Sequence, residues 1–288
     1  MTMELPGLDV EESDVAYAHP AGLELLARIY QPSDGDGGPY PTLVAVHGGA
    51  WNSNDRTRNE LANRALASSG LVVVSLDFRQ GPDHQHPSAT SDIVAGVRWS
   101  KLHAGEFGGD PGNVGMVGNS SGGHLAILAA IRPHIEEHRQ TPLLGTPLPD
   151  EAGEDGVDGS VRYVVANWPV SDPLYRYRYA VRMEREGLVA NSLAYFGDEA
   201  TMKAASVPRI LDDGEAQELP PLLVVQPGED QNVPLEMTQY LMRAYQQRGG
   251  YLEYAYFPGE PHAFTYEASD ATENCLALMT DFIHRQAR

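Results

Sequence analysis

Short runs of apolar residues alternate with segments of helical spacing along most of this chain of 288 residues. The runs Thr42–His47 and Leu71–Leu76 are short and largely apolar, which is typical of strands buried on both faces. Between the later strands, Ala89–His103 carries Ile93 and Val97 one helical turn apart, which predicts a helix. Strands that alternate with helices in this way predict an α/β fold, in which helices cover both faces of a mostly parallel sheet.

The same alternation predicts the remaining elements. The other predicted strands are Val15–Tyr17, Glu24–Tyr30, Val114–Val117, Val161–Ala166, Leu222–Gln226 and Leu252–Phe257. The other predicted helices are Leu61–Leu66, Ser120–Ile131, Val233–Ala244 and a closing helix that is striped by Ala271, Cys275, Leu278 and Phe282. The segment Leu174–Leu219 is too long for a simple crossover between strands. We therefore expect a helical cap insertion at 174–219 within a single domain that spans residues 1–288.

The chain is strongly acidic. It has 40 Asp and Glu against 20 Lys and Arg, a formal net charge of −20 and a pI near 4.7. Such a surface repels nucleic-acid phosphates and anionic membranes, so we expect neither as a partner. No stretch reaches the roughly 18 apolar residues of a membrane helix, and residues 1–14 lack the apolar core of a secretory signal. With Cys275 as its only cysteine, the chain is predicted to be cytoplasmic.

The segment Gly118-Asn119-Ser120-Ser121-Gly122-Gly123 follows a predicted strand and opens a predicted helix. The pattern G-x-S-x-G between strand and helix is the nucleophile elbow, a sharp turn that holds the serine oxygen clear of the sheet. Ser120 is therefore the candidate nucleophile, because the flanks of Ser121 do not fit the pattern.

A glycine-rich loop, His47-Gly48-Gly49-Ala50-Trp51, follows the strand that begins at Thr42. Backbone N–H groups of such a loop can turn toward the serine and stabilise the oxyanion of a tetrahedral intermediate. They act together with the N–H of the residue after the nucleophile, here Ser121. We expect His47 to orient this loop rather than to act as a base.

The chain order of the remaining catalytic groups identifies the acid and the base. In this architecture an Asp or Glu follows the serine, and a His comes last. The strand Leu222–Gln226 leads into Asp230, with Glu229 as the weaker alternative. Only His262 and His284 come later. His284 lies in the closing helix, whereas His262 follows the last strand in a loop, so Ser120, Asp230 and His262 form the predicted catalytic triad.

With these residues, the chain resembles the hormone-sensitive-lipase-like esterases of the α/β-hydrolase superfamily over nearly its whole length. The loop His47-Gly48-Gly49-Ala50 looks like the HGGG loop of that family, and the segment at Ser120 looks like its GDSAGG elbow. The resemblance implies oxyanion donors at Gly49, Ala50 and Ser121, with Gly48 beside them in the substrate-binding loop. It also implies carboxylesterase activity on small acyl esters without a cofactor. The sequence departs from the family at Ala50, Asn119 and Ser121.

Two other functions stay open at this point. The loop that ends in Trp51 is also similar to the HGGxW loop of arylformamidases, which cleave an amide bond. A ligand-binding protein on a hydrolase scaffold is the non-enzymatic alternative, although such proteins usually lack a triad member. A homodimer is a further open expectation.

Two groups of side chains have competing interpretations. Asp83, His84 and His86 lie close together in the chain, but they lack a further ligand at a spacing that zinc sites show, so we expect no metal site. The aromatic residues Trp51, Trp168, Tyr175 and Tyr177 fit either an apolar substrate pocket or the protein core.

Overall fold

One mixed β-sheet forms the centre of the described part of the molecule. The computed structural model describes residues 7–33, 37–144 and 157–288, so residues 1–6, 34–36 and 145–156 of the predicted domain lie outside the description. The strands are β1 (Val10–Ala18), β2 (Leu25–Pro32), β3 (Tyr40–Val46), β4 (Val72–Leu76), β5 (Gly109–Asn119), β6 (Val164–Asn167), β7 (Leu222–Pro227) and β8 (Leu252–Phe257). They are arranged in the order β1-β2-β4-β3-β5-β6-β7-β8. The pairings β1–β2 and β2–β4 are antiparallel and the others are parallel, which confirms the predicted sheet.

Helices connect most of the parallel strands. They are α1 (Glu60–Ser68), α2 (Ser88–His103), α3 (Ser121–Ile131), α4 (Pro173–Arg182), α5 (Glu186–Phe196), α6 (Glu199–Ala204), α7 (Val207–Asp212), α8 (Leu235–Gln247) and α9 (Asp270–Gln286). Helices α4 to α7 follow one another between β6 and β7, in the segment that the sequence marks as an insertion. Among the helices described, none combines the length and the apolar character needed to cross a membrane.

Apolar side chains alternate between two cores, one on each face of the sheet. In β3, Val44 and Val46 belong to the core that α2, α3 and α8 cover. Leu43 and Ala45 point to the opposite core, which α1 and α9 cover. This alternation follows from the two-residue period of a strand, and it explains why the central strands are apolar at nearly every position. Helices on both faces of the sheet are therefore confirmed.

The parallel strands bring four sequence-predicted segments to one edge. Because β3, β5, β7 and β8 run in the same direction, the loops after them all leave the same edge of the sheet. Those loops contain the glycine-rich segment, Ser120, Asp230 and His262. The carboxyl edge of a parallel sheet is where α/β proteins bind ligands.

Candidate active site

Ser120 lies at a tight turn between β5 and α3. Its backbone has φ 55° and ψ −119°, so α3 begins one residue later than predicted. The turn is crowded: a Cβ atom on Gly122 would collide with the carbonyl oxygens of Val46 and His47, and one on Gly118 would collide with the backbone of Gly122. The glycines thus let the first turn of α3 approach β3, and this strained turn leaves the serine outside the helix.

The three residues of the predicted triad contact one another. The Nε2 atom of His262 lies 3.1 Å from Oγ of Ser120, and its Nδ1 atom lies 2.8 Å from Oδ2 of Asp230. Because a carboxylate only accepts, Nδ1 carries the proton and Nε2 is left to accept from the serine hydroxyl. The Oδ1 atom of Asp230 accepts the backbone N–H groups of Asn232 and Val233, each at 2.8 Å. These bonds fix the orientation of a carboxylate that is only 1% exposed.

The two alternatives from the sequence lie elsewhere. Glu229 is exposed, and no hydrogen bond of its side chain is seen within the described part of the chain. His284 is on α9, where its Nε2 atom donates to the carbonyl of Ser69 at 3.2 Å. Of the two acids and two histidines that the sequence offers, the structure brings only Asp230 and His262 to the serine.

The backbone of the glycine-rich loop is held by its carbonyl groups. The carbonyl of Gly48 accepts Nδ1 of His47 at 2.8 Å and Nδ2 of Asn54 at 3.0 Å. In a trans peptide the following N–H points the opposite way, so the N–H of Gly49 faces away from both partners. A Cβ atom on Gly48 would lie 3.2 Å from Cβ of Ser120, which shows how closely this loop approaches the serine.

The next peptide is oriented in the same manner. The carbonyl of Gly49 accepts the N–H of Asn52 and the hydroxyl of Ser53, both at 3.0 Å, so the N–H of Ala50 points away from them. Within the described ranges, neither the N–H of Gly49 nor that of Ala50 donates to a protein acceptor. Ser121 begins α3, so its N–H has no partner inside the helix. Within the described residues, these three backbone N–H groups are therefore free to bind another acceptor.

His47 is a buried neutral side chain beneath this loop. Its ring stacks on Phe78 with the ring centres 4.2 Å apart, and it is 1% exposed. Burial lowers the pKa of His47 to about 4, so the imidazole is uncharged at neutral pH. Since its Nδ1 proton is donated to Gly48, the contact agrees with the expected loop-orienting role.

Sequence reasoning missed the residues of β6 that support the elbow. Asn167 donates from Nδ2 to Oδ1 of Asn119 at 2.9 Å, and its carbonyl accepts the N–H of Ser120 at 2.9 Å. Three residues later, the N–H of Val170 donates to the carbonyl of Ser120 at 3.1 Å. Asn119 and Asn167 are opposite each other in the sheet, and only the strand order reveals this.

The aromatic residues for which the sequence left two interpretations are now placed. Trp51 and Trp168 are almost fully buried, Trp51 in the first core and Trp168 in the second, where its ring lies 6.1 Å from that of His262. Tyr175 and Tyr177 are half-buried against the first core. Core packing therefore accounts for both tryptophans.

The histidines near Asp83 do not gather into a metal site. The ring of His86 packs against Tyr195 and Phe196. In the residues that the structure describes, no three His, Cys, Asp or Glu side chains come together as ligands for a metal ion.

Comparisons with known proteins identify a matching family and several relatives. The BD-FAE family model matches residues 28–245. Esterase LipC of Mycobacterium tuberculosis is 27% identical over 269 residues, which cover 90% of this chain and 62% of that protein. Carboxylic ester hydrolase LipN of the same organism is 39% identical over 125 residues, 43% of this chain and 32% of LipN. The chain thus spans less than two thirds of the length of these two relatives.

The fold also has solved counterparts. The propionate-bound esterase Est2 from Thermogutta terrifontis superposes with a TM-score of 0.72 at 23% identity, over 98% of this chain and 95% of that one. This likeness establishes the α/β-hydrolase fold that the sequence predicts.

Proposed function

This chain belongs to the BD-FAE family, and from that premise we propose that it is a serine carboxylesterase that cleaves small acyl esters. The observation that carries the proposal is the continuous hydrogen-bond chain from Asp230 through His262 to Ser120. The esterases among its relatives support the same chemistry.

The proposed reaction follows from the protonation states of the three hydrogen-bonded triad residues. His262 accepts the Ser120 proton at Nε2 as Oγ attacks the ester carbonyl carbon. Asp230 stabilises the resulting imidazolium, and the N–H groups of Gly49, Ala50 and Ser121 stabilise the oxyanion. When the intermediate collapses, His262 returns the proton to the leaving alcohol and an acyl-serine remains. Water, deprotonated by His262, then releases the carboxylic acid and restores Ser120.

We also propose that residues 174–219 act as a cap over the substrate site. Two hydrogen bonds join this segment to the loop that carries Asp230. The Tyr179 hydroxyl donates to the carbonyl of Gln231 at 3.2 Å, and Nη2 of Arg185 donates to Oε1 of Gln231 at 2.8 Å. On the other side, Nδ2 of Asn52 donates to the carbonyl of Asn191 at 2.8 Å. The helices of the segment are thus attached to loops on both sides of Ser120.

Paired substitutions test the triad. We expect Ser120→Ala and His262→Ala each to lower kcat for p-nitrophenyl acetate by on the order of 10⁴, as in other triads. Glu229→Gln and His284→Ala change the alternative acid and the alternative base, and both variants are expected to keep the wild-type kcat. A fluorophosphonate probe should label the wild type at Ser120 and leave Ser120→Ala unlabelled. Near-normal hydrolysis by Ser120→Ala, or no labelling of the wild type, would refute the proposal.

The same assay separates the ester from the amide reaction. N-formylkynurenine, tested beside p-nitrophenyl acetate, is expected to be the poorer substrate, and a reversed ratio would assign an arylformamidase-like activity instead. The homodimer and the cytoplasmic location stay predictions, to be tested by light scattering coupled to size exclusion and by cell fractionation.

A further inference from the structure

Arg176, on the first turns of α4, is a buried cation with few partners. Its side chain is 2% exposed, yet it makes one hydrogen bond with the described residues, from Nη2 to Oγ of Ser192 at 3.2 Å. Its Nε atom is buried without a partner. The guanidinium carbon lies 5.0 Å from the centre of the Trp51 ring. A guanidinium has five N–H donors, so most of its hydrogen-bonding capacity is unused.

The partly buried Arg79 shows how a carboxylate can compensate an arginine charge in this protein. Arg79 meets Asp92 through two nitrogen atoms, and that carboxylate is fully buried. Arg176, by contrast, has no carboxylate within 4.0 Å in the part of the chain that is described. Asp172, one helical turn earlier, is oriented toward Arg209 at 3.6 Å. An unpaired charge in the interior is costly, and an anionic partner is the usual compensation.

The chain connects Arg176 to two segments of the reaction site. Trp51, whose ring it covers, directly follows the proposed oxyanion donors Gly49 and Ala50. The backbone that leads into α4 passes Ser120 through the N–H of Val170. Arg176 therefore contacts the last residue of the glycine-rich loop, and it lies six residues after Val170, which is hydrogen-bonded to Ser120. Burial lowers its pKa to about 10, which leaves the guanidinium charged at neutral pH.

We propose that Arg176 is a specificity-determining residue that binds a carboxylate group carried by the substrate. This proposal rests on the esterase function proposed above and narrows its substrate class to esters with an anionic end. The planar fork of a guanidinium matches a carboxylate with two parallel hydrogen bonds, and the low dielectric around Arg176 strengthens them. An ester of equal length without the carboxylate would leave the cation unpaired.

Matched ester pairs test the proposal on the intact protein. Monoethyl succinate, monoethyl glutarate and monoethyl adipate are each compared in a pH-stat with the neutral ester of equal acyl length, which is ethyl butyrate, ethyl pentanoate or ethyl hexanoate. O-acetyl-lactate places the carboxylate on the alcohol half and shows which half Arg176 recognises. We expect the wild type to prefer at least one carboxylate ester. Arg176→Met should lower kcat/KM for that ester by about 10- to 100-fold, whereas kcat/KM for the neutral esters should change less than about threefold.

Arg178→Met is the matched control, because Arg178 lies on the same helix with 62% of its side chain exposed and pairs with Glu199. This variant is expected to retain the wild-type preference. Equal losses for charged and neutral esters in Arg176→Met, or a wild type that prefers the neutral esters, would overturn the proposal. A binding measurement does not depend on turnover: glutarate should raise the Tm of wild type and Arg178→Met but not of Arg176→Met. If no ester is cleaved, the esterase proposal fails, and the Tm shift still decides the role of Arg176.

Discussion

Gly122 lies in the first turn of α3, where a Cβ atom would collide with the carbonyl oxygens of Val46 and His47. Backbone atoms cannot rotate aside as side chains do, so Gly122→Ala must push α3 away from β3. We expect this variant to lose about 2–4 kcal/mol of unfolding free energy and most of its esterase activity, measured by urea unfolding and p-nitrophenyl acetate turnover. Gly187→Ala on α5 is the control, because nothing lies near its Cβ position. It should keep or slightly raise the stability; equal losses in both variants would contradict this account.

Also at the scale of residues, the sequence predicts those groups whose role depends on local motifs and chain order. Ser120 has its glycines beside it, and His262 is selected because only one other histidine follows the acid. Arg176 and Asn167 lie in segments without any such motif. Distant parts of the chain supply their contacts: Trp51 lies beside Arg176, and Asn119 lies beside Asn167. A contact between residues 48 or more positions apart in the sequence cannot be predicted from the spacing of neighbouring residues.

At the scale of elements, the side chain of Asn52, next to the glycine-rich loop, hydrogen-bonds to α5. Asn52 donates from Nδ2 to the carbonyl of Asn191 at 2.8 Å and also bonds the carbonyl of Ala50. Asn52→Ala removes both bonds and frees the peptide groups that precede it. Because oxyanion donors act only when correctly placed, we expect kcat to fall about tenfold with a small change in KM. Steady-state kinetics on p-nitrophenyl acetate measures this.

The control for Asn52 is Gln85, whose Nε2 atom donates to the carbonyl of Ala194 on the same helix at 3.4 Å. Gln85→Ala also loosens a contact with α5 but leaves the loop intact, so its kcat should equal that of the wild type. A similar fall in both variants would mean that the position of α5, rather than the loop, limits the rate.

Element boundaries show which strands a pattern can predict. Leu252–Phe257 is predicted at its observed bounds, whereas β5 begins at Gly109, five residues before the predicted start at Val114. The missed part contains Asp110, Pro111 and Gly112, which do not favour a strand and lie near the end of the sheet. Neighbouring strands impose the extended conformation there, through pairing of Tyr40 with Gly109.

At the scale of the whole molecule, desolvation keeps four histidines of the described residues neutral; three are buried and His86 is partly buried. Burial lowers the pKa of His86 to about 3 and those of His47, His124 and His138 to about 4, against an ordinary value of 6.5. In the unfolded chain the same groups take up protons near pH 6.5. Composition alone gives ten histidines and no sign of which are buried.

The sign of the resulting pH dependence follows from this difference. Between pH 6.5 and about 4 the unfolded chain binds more protons than the native one, so acid favours unfolding, by up to about 3 kcal/mol for each buried histidine. We expect the free energy of unfolding in urea to fall steeply from pH 7 to pH 4.5. His124→Gln should flatten the curve, since an amide can accept from Trp51 and donate to Ala205 as His124 does. His19→Gln, which removes an exposed histidine, should leave the slope unchanged. Equal slopes for all three proteins would show that the buried imidazoles do not govern acid stability.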